Sequence, residues 1–371
     1  MSQPLEIKEI PDSSLKPFVE FPYSFYVYDP QWVPQLKKDF LHLLDISHPF
    51  WKHAERKLFM AYRGRKPAGT AAAIVNRAHN SFQSEKCGFF GFFETENDPA
   101  VSRALLSACE KWLKEKGMEI MRGPMSPSTN EVCGMLLEGF DSLPAMMMPY
   151  NPPYYLKLME DYGLAKAMDL LAYRRYSAEA VPERFEKIIS RMNRDGKARI
   201  RFADVKRLDR ELATLKEIYN DAWEKNWGFV PMTDDEIDDM AAGIRPILRP
   251  EHLFFAEIDG VPAGFTLILP DVNMALAGTK GRLTPFNIIP FLLRMRRISR
   301  GRLMALGVKK DYRNRGMELL LIKQSIMSSR KLGWEYGELS WILENNEKTN
   351  RIIELAGGKV YKKYRIYEKR I

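Results

Sequence analysis

Cysteine is scarce. The chain has three, Cys87, Cys109 and Cys133, an odd number with no Cys-x-x-Cys pair. That excludes a disulfide framework and argues against a zinc knuckle. The five histidines show no metal-ligand spacing, so no metal is expected. Also missing is any run of about 18 apolar residues, the length needed to cross a bilayer. The first residues lack the basic-then-apolar pattern of a secretory leader, so a reducing cytoplasmic setting is expected. Hydrophobic residues themselves are not lacking: 45% of the 371 residues are hydrophobic and 12% aromatic, enough for globular cores in two domains. Acid is what one segment lacks. Residues 294–315 hold nine Lys or Arg against one acid, Asp311, within a chain whose net charge is +9. A local anion site explains that concentration better than a surface coated by nucleic acid.

The chain repeats itself. Leu58-Phe59-Met60-Ala61 followed by Pro67-Ala68-Gly69 recurs as Leu253-Phe254-Phe255-Ala256 followed by Pro262-Ala263-Gly264, at an offset of 195. Each copy has a tight turn, Gly64-Arg65 or Asp259-Gly260, and reads as a β-hairpin. Further on the offset becomes 216: Gly91 aligns with Gly307, Gly117 with Gly333, and Asn130-Glu131 with Asn346-Glu347. The difference is an insertion of 21 residues in the second copy, near 273–293. Both copies then read as hairpin, strand, helix, strand, helix, terminal strand. In the first these are Leu58–Ile74, Lys86–Phe93, Pro99–Lys116, Glu119–Gly123, Asn130–Leu137 and Met168–Tyr176. In the second they are Leu253–Leu269, Arg302–Val308, Gly316–Leu332, Tyr336–Leu343, Asn345–Leu355 and Lys359–Lys369. Apolar spacing supports the helices, as in Leu105, Ala108, Trp112 and in Leu319, Ile322, Ile326. The expected division is residues 1–176, a linking helix over 177–196 opened by Pro182, and residues 197–371. Duplication is the reading that such matched landmarks support.

In the second copy the strand Arg302–Val308 runs into Lys309-Lys310-Asp311-Tyr312-Arg313-Asn314-Arg315-Gly316 and then a helix. Free first-turn amides, the helix dipole and basic side chains together make an anion site. Gly316 lets backbone approach a ligand closely. Arg313-Asn314-Arg315-Gly316-Met317 resembles the Arg/Gln-x-x-Gly-x-Gly/Ala pyrophosphate loop of GNAT N-acyltransferases. Asn346 and the exit Gly357-Gly358 resemble that family's fourth helix. The resemblance implies an α/β (α+β) fold of two tandem GNAT-like domains, each a mixed, largely antiparallel sheet flanked by helices. It implies coenzyme A or acyl-CoA as co-substrate, held by Gly307, Val308, Lys309, Arg313, Asn314, Arg315, Gly316, Met317 and Asn346. Two departures stand out: the last loop position is Glu318, an acid near phosphate, and the family's frequent general-acid tyrosine falls at Ile353. The first copy's equivalent turn, Phe92 to Pro99, carries Glu94, Glu96 and Asp98 where the second has bases. Close to pyrophosphate these acids would repel, so the first copy is expected to bind no coenzyme A. Its expected role is to support the second and wall the acceptor site.

N-acyl transfer needs a base for the amine proton and donors for the tetrahedral oxyanion. Alternation along Tyr336–Glu344 places Glu338, Ser340 and Glu344 on one strand face, away from Leu339, Trp341 and Leu343. A carboxylate on a central strand is desolvated, which suits a general base, and Glu338 leads Glu344 as the candidate. Tyr361, with Tyr364 and Tyr367 as alternatives, is the candidate acid for the leaving thiolate. His53 and the Met146–Tyr155 run, apolar and proline-rich, read equally as acceptor-cleft lining or as packing.

The insertion leads into Leu283–Leu293, uncharged, followed by Arg294, Arg296, Arg297, Arg300 and Arg302. This reads as a lid helix with arginines for the coenzyme's phosphates, as the roof of an acyl tunnel, or as a segment lying at an anionic lipid surface. With the loop and Glu338-Leu339-Ser340-Trp341 it is similar to a group of bacterial GNAT-like proteins that includes ceramide synthases, which implies a long-chain acyl-CoA and a lipid amine. The function expected is acyl-CoA-dependent N-acyl transfer to a small-molecule or lipid primary amine, with peripheral membrane association and no nucleic-acid partner. The alternatives are a tRNA-dependent aminoacyl transferase of the peptidoglycan-bridge type and a non-catalytic acyl-CoA-binding protein.

Overall fold

The computed structural model describes residues 3–224 and 226–371. Its strands, in chain order, are β1 (Leu5–Ile10), β2 (Ala54–Arg63), β3 (Lys66–Asn76), β4 (Cys87–Thr95), β5 (Ile120–Gly123), β6 (Met125–Ser126), β7 (Val132–Cys133), β8 (Met135–Glu138), β9 (Ala165–Tyr176), β10 (Ala198–Phe202), β11 (Leu253–Ile258), β12 (Val261–Pro270), β13 (Arg300–Val308), β14 (Tyr336–Leu343) and β15 (Lys359–Arg370). Its helices are α1 (Lys16–Phe25), α2 (Lys37–Leu44), α3 (Arg77–Gln83), α4 (Pro99–Glu115), α5 (Tyr155–Asp161), α6 (Glu183–Met192), α7 (Leu208–Trp223), α8 (Asp234–Ile244), α9 (Asn273–Leu276), α10 (Ile288–Met295), α11 (Met317–Lys331) and α12 (Glu347–Leu355).

These elements form two units that are not contiguous in sequence. One comprises Met1–Asp169, Asn273–Arg296 and Lys362–Ile371; the other comprises Leu170–Val272 and Arg297–Tyr361. The first unit's strands run β1-β2-β3-β4-β5-β15, with β8 also on β15, and the second's run β10-β11-β12-β13-β14-β9. Every pairing along these paths is antiparallel except β4 with β5 and β13 with β14. Each unit is therefore a mixed, largely antiparallel sheet flanked by helices, in the same strand order. The terminal strands do not follow the sequence halves: the first sheet is completed from the chain's C-terminus, and the second by residues 170–176.

Side-chain size explains how the helices seat. Strand β3, rich in alanine with Gly69 and Ala71-Ala72-Ala73, is buried from Ala68 to Asn76, and its small residues let α4 approach closely. Helix α4 turns Val101, Leu105, Leu106, Cys109, Trp112 and Leu113 to that sheet. In the second unit α11 buries Leu319, Leu321, Ile322 and Ile326 in a cluster with Phe254, Ile268, Leu303 and Leu339. Each such side chain contributes about 1.5–3 kcal/mol on burial. Helix α7 contacts β12 and β13, and Gly307 is glycine for this reason: a Cβ there would come within 2.8 Å of the Trp223 ring.

Two local expectations are corrected. Asn130–Leu137 is not a helix; Val132-Cys133 pairs with Met125-Ser126, and Met135–Glu138 pairs with β15. The left-handed Gly134 (φ 82°) and β-branched Val132 break the helical reading, and the strand partners settle the outcome. The insertion, read as part of the second copy, belongs to the first unit instead. There the Lys37 amide donates to the Gly281 carbonyl (2.9 Å), Asn273 Nδ2 to the Pro144 carbonyl (3.0 Å), and Arg282 reaches Glu20 (2.8 Å).

Candidate functional site

Strands β13 and β14 run parallel and pair only from Arg300/Tyr336 to Leu303/Leu339. Beyond that they part. Strand β13 stays on β12 through Val308, while β14 stays on β9 through Leu343. A wedge opens at the sheet's centre, where edge amides and carbonyls of each strand have no partner strand between them. Extended chain can be held at such an edge by backbone hydrogen bonds.

The basic loop follows directly from the end of β13. Gly316 sits at φ 82° and Asn314 at φ 63°, and Gly316 begins α11 with no side-chain cap. The first-turn amides of Met317, Glu318 and Leu319 are thus left to an external acceptor. Met317's own side chain is buried in the core, so what it offers a ligand is backbone. The loop's bases are held apart in role. Lys309 pairs with Glu217, Lys310 with Glu224, and Arg313 donates to the Ala222 carbonyl (2.6 Å). Arg315 is exposed and lies over the Tyr312 ring. Glu318, the acid in the family's small-residue position, is paired with Lys348 (2.7 Å). Val308 is buried, and Asn346 caps α12 by accepting from the Thr349 amide (3.3 Å), a structural use of its side chain.

Below the wedge lies a buried polar cluster. Glu338 is 2% exposed and stands opposite Arg302, 4% exposed, in the β13–β14 ladder. The Ser340 hydroxyl and the Tyr361 hydroxyl both donate to the Glu338 carboxylate. Arg302 Nε donates to Ser340 Oγ (2.9 Å) and its Nη2 to the Ser340 carbonyl (3.1 Å). One turn of the strand pattern away, Arg300 pairs with buried Asp271 (3.3 Å) and donates to the Tyr336 hydroxyl (3.0 Å). Burial is the main reason the Tyr336 hydroxyl is held above its ordinary pKa. The Arg174 guanidinium sits over the rings of Tyr176, Tyr336 and Tyr361.

Two of the three expected catalytic residues, Glu338 and Tyr361, thus meet. Glu344 lies past the end of β14, in the turn to α12. Tyr364 and Tyr367 belong to the first unit and are buried there. Ile353 is buried and lines a cavity of about 30 Å³ with Ser325, Ser329, Trp334, Gly337 and Glu338. Arg302, Arg300 and Asp271 escaped the sequence reading, which gave both arginines to an exposed anion patch. The signal was present: alternation along β13 puts Arg300 and Arg302 on one face, as it puts Glu338 and Ser340 on one face of β14. His53 meets Asn76 (3.3 Å), and within Met146–Tyr155 the residues Tyr150, Asn151, Tyr154 and Tyr155 bond inside the first unit.

The first unit repeats the wedge without the anion site. Strands β4 and β5 pair from Cys87/Ile120 to Phe89/Arg122 and then part. Its helix, however, is capped by its own acid: Asp98 accepts from the Ala100 amide (2.9 Å), and Pro99 has no amide to offer. Glu94 accepts from the hydroxyls of Tyr26 and Tyr155, and burial raises its pKa to about 7. Elsewhere in this unit His79, Glu85 and Cys87 converge, although no sequence spacing suggested it. Burial holds the imidazole down at about 4 and the thiol up at about 12, while Arg122 takes Glu85 (2.9 Å).

The fold and the paired wedges define the tandem GNAT class. Solved structures agree. A tandem GNAT protein from the clavulanic acid biosynthesis pathway aligns with a TM-score of 0.58 at 11% identity, covering 99% of this chain and 98% of that one. A GCN5-related N-acetyltransferase from Sphaerobacter thermophilus aligns with a TM-score of 0.54 at 14% identity, covering 100% and 97%. No family model matches the sequence. Curated relatives are much nearer in sequence. The bacterial ceramide synthase of Caulobacter vibrioides is 36% identical over 368 residues, 96% of this chain and 95% of that protein. Protein YghO of Escherichia coli K12 is 33% identical over 369 residues, covering 97% and 93%. The chain has the tandem GNAT fold and belongs to the family that contains this ceramide synthase.

Proposed function

We propose that the chain is an acyl-CoA-dependent N-acyltransferase that moves a long-chain acyl group to the primary amine of an amphipathic lipid met at a membrane face. One observation carries the reading: a single strand, β13, joins an uncapped, basic helix entrance to a wedge with the Glu338–Tyr361 pair beneath it. The name of the Caulobacter relative supports the long-chain, amine-accepting version.

Substrate diphosphate sits at the α11 entrance and Arg315, and the pantetheine arm follows the open edge of β13 beside Gly307 and Val308. The amine nitrogen attacks the thioester carbonyl carbon, forming the C–N bond. Glu338 takes the proton that the nitrogen sheds. As the tetrahedral centre collapses the C–S bond breaks, and Tyr361 delivers a proton to the thiolate. Tyr361 already donates to Glu338, so the proton gained by one can restore the other. Tyr361 thereby supplies the hydroxyl that Ile353 lacks. Ser340 and Arg302 are positioning residues: Ser340 donates to the carboxylate oxygen that Tyr361 does not hold, and Arg302 fixes Ser340. The first unit, whose helix entrance is closed by Asp98, binds no coenzyme A in this reading.

The test is calorimetric binding of coenzyme A and acyl-CoAs of increasing chain length, followed by thiol release with long-chain amines. Binding that tightens with chain length, and transfer to the amine, are expected. Absence of coenzyme A binding overturns the proposal. Binding without transfer returns the non-catalytic alternative, and transfer from aminoacyl-tRNA alone returns the other.

A further inference from the structure

Helix α10 is apolar except for Arg294 in its last turn. Ile288, Phe291 and Met295 recur on one face and are half-buried. On the other face Ile289 is 66%, Leu292 53% and Leu293 50% exposed, and Phe286, just before the helix, is 94% exposed. Leu283 adds to the bare surface, and no residue of α10 is fully buried. A continuous apolar patch of this kind on an exposed helix marks a contact surface.

Its charge setting is one-sided. From Val272 to Lys310 the chain has no acidic residue. Arg294 and Arg296, both exposed, close the helix, and among the described residues neither has an acidic partner. At helical spacing Arg296 continues the bare face formed by Ile289, Leu292 and Leu293. No helix among the described residues is long and apolar enough to cross a membrane.

We propose that residues 283–296 form a docking surface for an anionic lipid bilayer. Helix α10 lies in the headgroup plane, its bare apolar face sinks among the acyl chains, and Arg294 and Arg296 meet lipid phosphates. A second copy of the chain fits less well. A two-fold contact on this face would bring the same unpaired arginines together and desolvate them with no acid to meet. The role of the surface rests on the lipid-acceptor reading, since it brings the enzyme to where a lipid amine resides; its geometry stands independently.

The test is flotation of the full chain with vesicles of phosphatidylcholine, and with vesicles of phosphatidylcholine and phosphatidylglycerol in equal parts. Neither acyl-CoA nor an acceptor is present. Binding to the mixed vesicles is expected, weakening as salt rises. Ile289→Ser with Leu293→Ser is expected to abolish it. Arg294→Gln with Arg296→Gln is expected to lower partitioning roughly twenty-fold, from the usual contribution of each base near an anionic surface. Val261→Ser, at an exposed apolar residue of the β11–β12 turn, is the control and leaves binding unchanged. All variants are exposed and keep the wild-type melting temperature. Failure of the wild type to float, or binding by the α10 variants equal to wild type, overturns the proposal. So does loss of self-association in those variants with vesicle binding intact, which assigns the face to a second copy. Transfer to a soluble amine by the α10 variants separates the two readings: if it persists while flotation fails, only the docking surface is lost. If flotation succeeds while no transfer is found, only the catalytic reading is lost.

Discussion

Glu338→Gln separates chemistry from architecture more cleanly than any other substitution here. The amide keeps the side chain's shape, and its oxygen still accepts from Tyr361. Its nitrogen must now donate to Ser340 Oγ, which already accepts from Arg302 Nε. Ser340 then has no acceptor for its own proton, at a cost of about 1 kcal/mol in stability. The chemical loss is larger. Removing a positioned general base lowers turnover by about 10²- to 10⁴-fold, or roughly 3–5 kcal/mol of barrier. Coenzyme A binding should not move, because its proposed contacts lie on the 309–316 loop and the upper edge of β13. Glu338→Ala is a different perturbation: it deprives Ser340 and Tyr361 of their shared acceptor beside a buried guanidinium. That should cost about 3–5 kcal/mol and obscure the chemistry. Initial rates of thiol release, calorimetric binding of coenzyme A and a melting curve, all on the Gln variant, make the assay. Unchanged turnover refutes the base assignment. Parallel losses of turnover, affinity and melting temperature refute it as well, because they make Glu338 a structural residue.

Other expectations follow from the same geometry. Gly316→Val adds a side chain where φ is 82° and a Cβ would come within 3.0 Å of Met192. Roughly 1–2 kcal/mol of strain at the helix entrance should weaken coenzyme A binding measured by calorimetry. Arg315→Ser removes an exposed charge-assisted donor and should weaken coenzyme A binding about tenfold, with the difference shrinking as salt rises. Glu94 has a pKa of about 7 in the folded chain, raised above its ordinary 4.5 by burial. Its folded form therefore holds a proton that the unfolded form has lost, so it costs stability as pH rises from 4.5 through 7. Glu94→Gln should be neutral near pH 4 and stabilise the fold near pH 8 by up to about 2 kcal/mol after allowance for its partial exposure, read as a higher melting temperature. Residues 1–176 or 197–371 expressed alone should fail to give a cooperative melt, because each lacks a terminal strand of its own sheet; two independent cooperative melts would refute the exchange of strands.

Much of this was legible beforehand because it is written in local pattern. The two hairpins announce themselves through matched Leu-Phe-x-Ala and Pro-Ala-Gly runs. Strand-to-glycine-to-helix at 302–332 places β13, the basic loop and α11 without any tertiary information. Glu338 on a strand otherwise built for burial signals a carboxylate with partners. What was not legible depends on pairing across long sequence distances. Asn130–Leu137 has helical spacing, yet its partners, Met125-Ser126 and β15, make it strand. Arg300 and Arg302 look the same in sequence as Arg294 and Arg296. Alternation puts the first two on one strand face, but their burial beside Asp271 and opposite Glu338 comes from the ladder register.

The terminal strands show that neither half of the chain completes its own sheet. Tyr364, Ile366 and Tyr367, from the end of the sequence, are fully buried in the first unit, where Tyr367 stands opposite Gly123. Leu170, Ala172 and Tyr173, from the end of the first copy, are fully buried in the second, where Tyr173 stands opposite Leu339. Strand β9 is thus the neighbour that β14 keeps after it parts from β13. The first copy closes its loop on itself: Asp98 caps the helix that follows, and Glu94 is tied to two tyrosines. Yet it contributes the strand against which Glu338 is set, through the Arg174–Glu338 register. Change in the first copy's loop therefore carries no freedom to lose its last strand, since the second unit's sheet is incomplete without it.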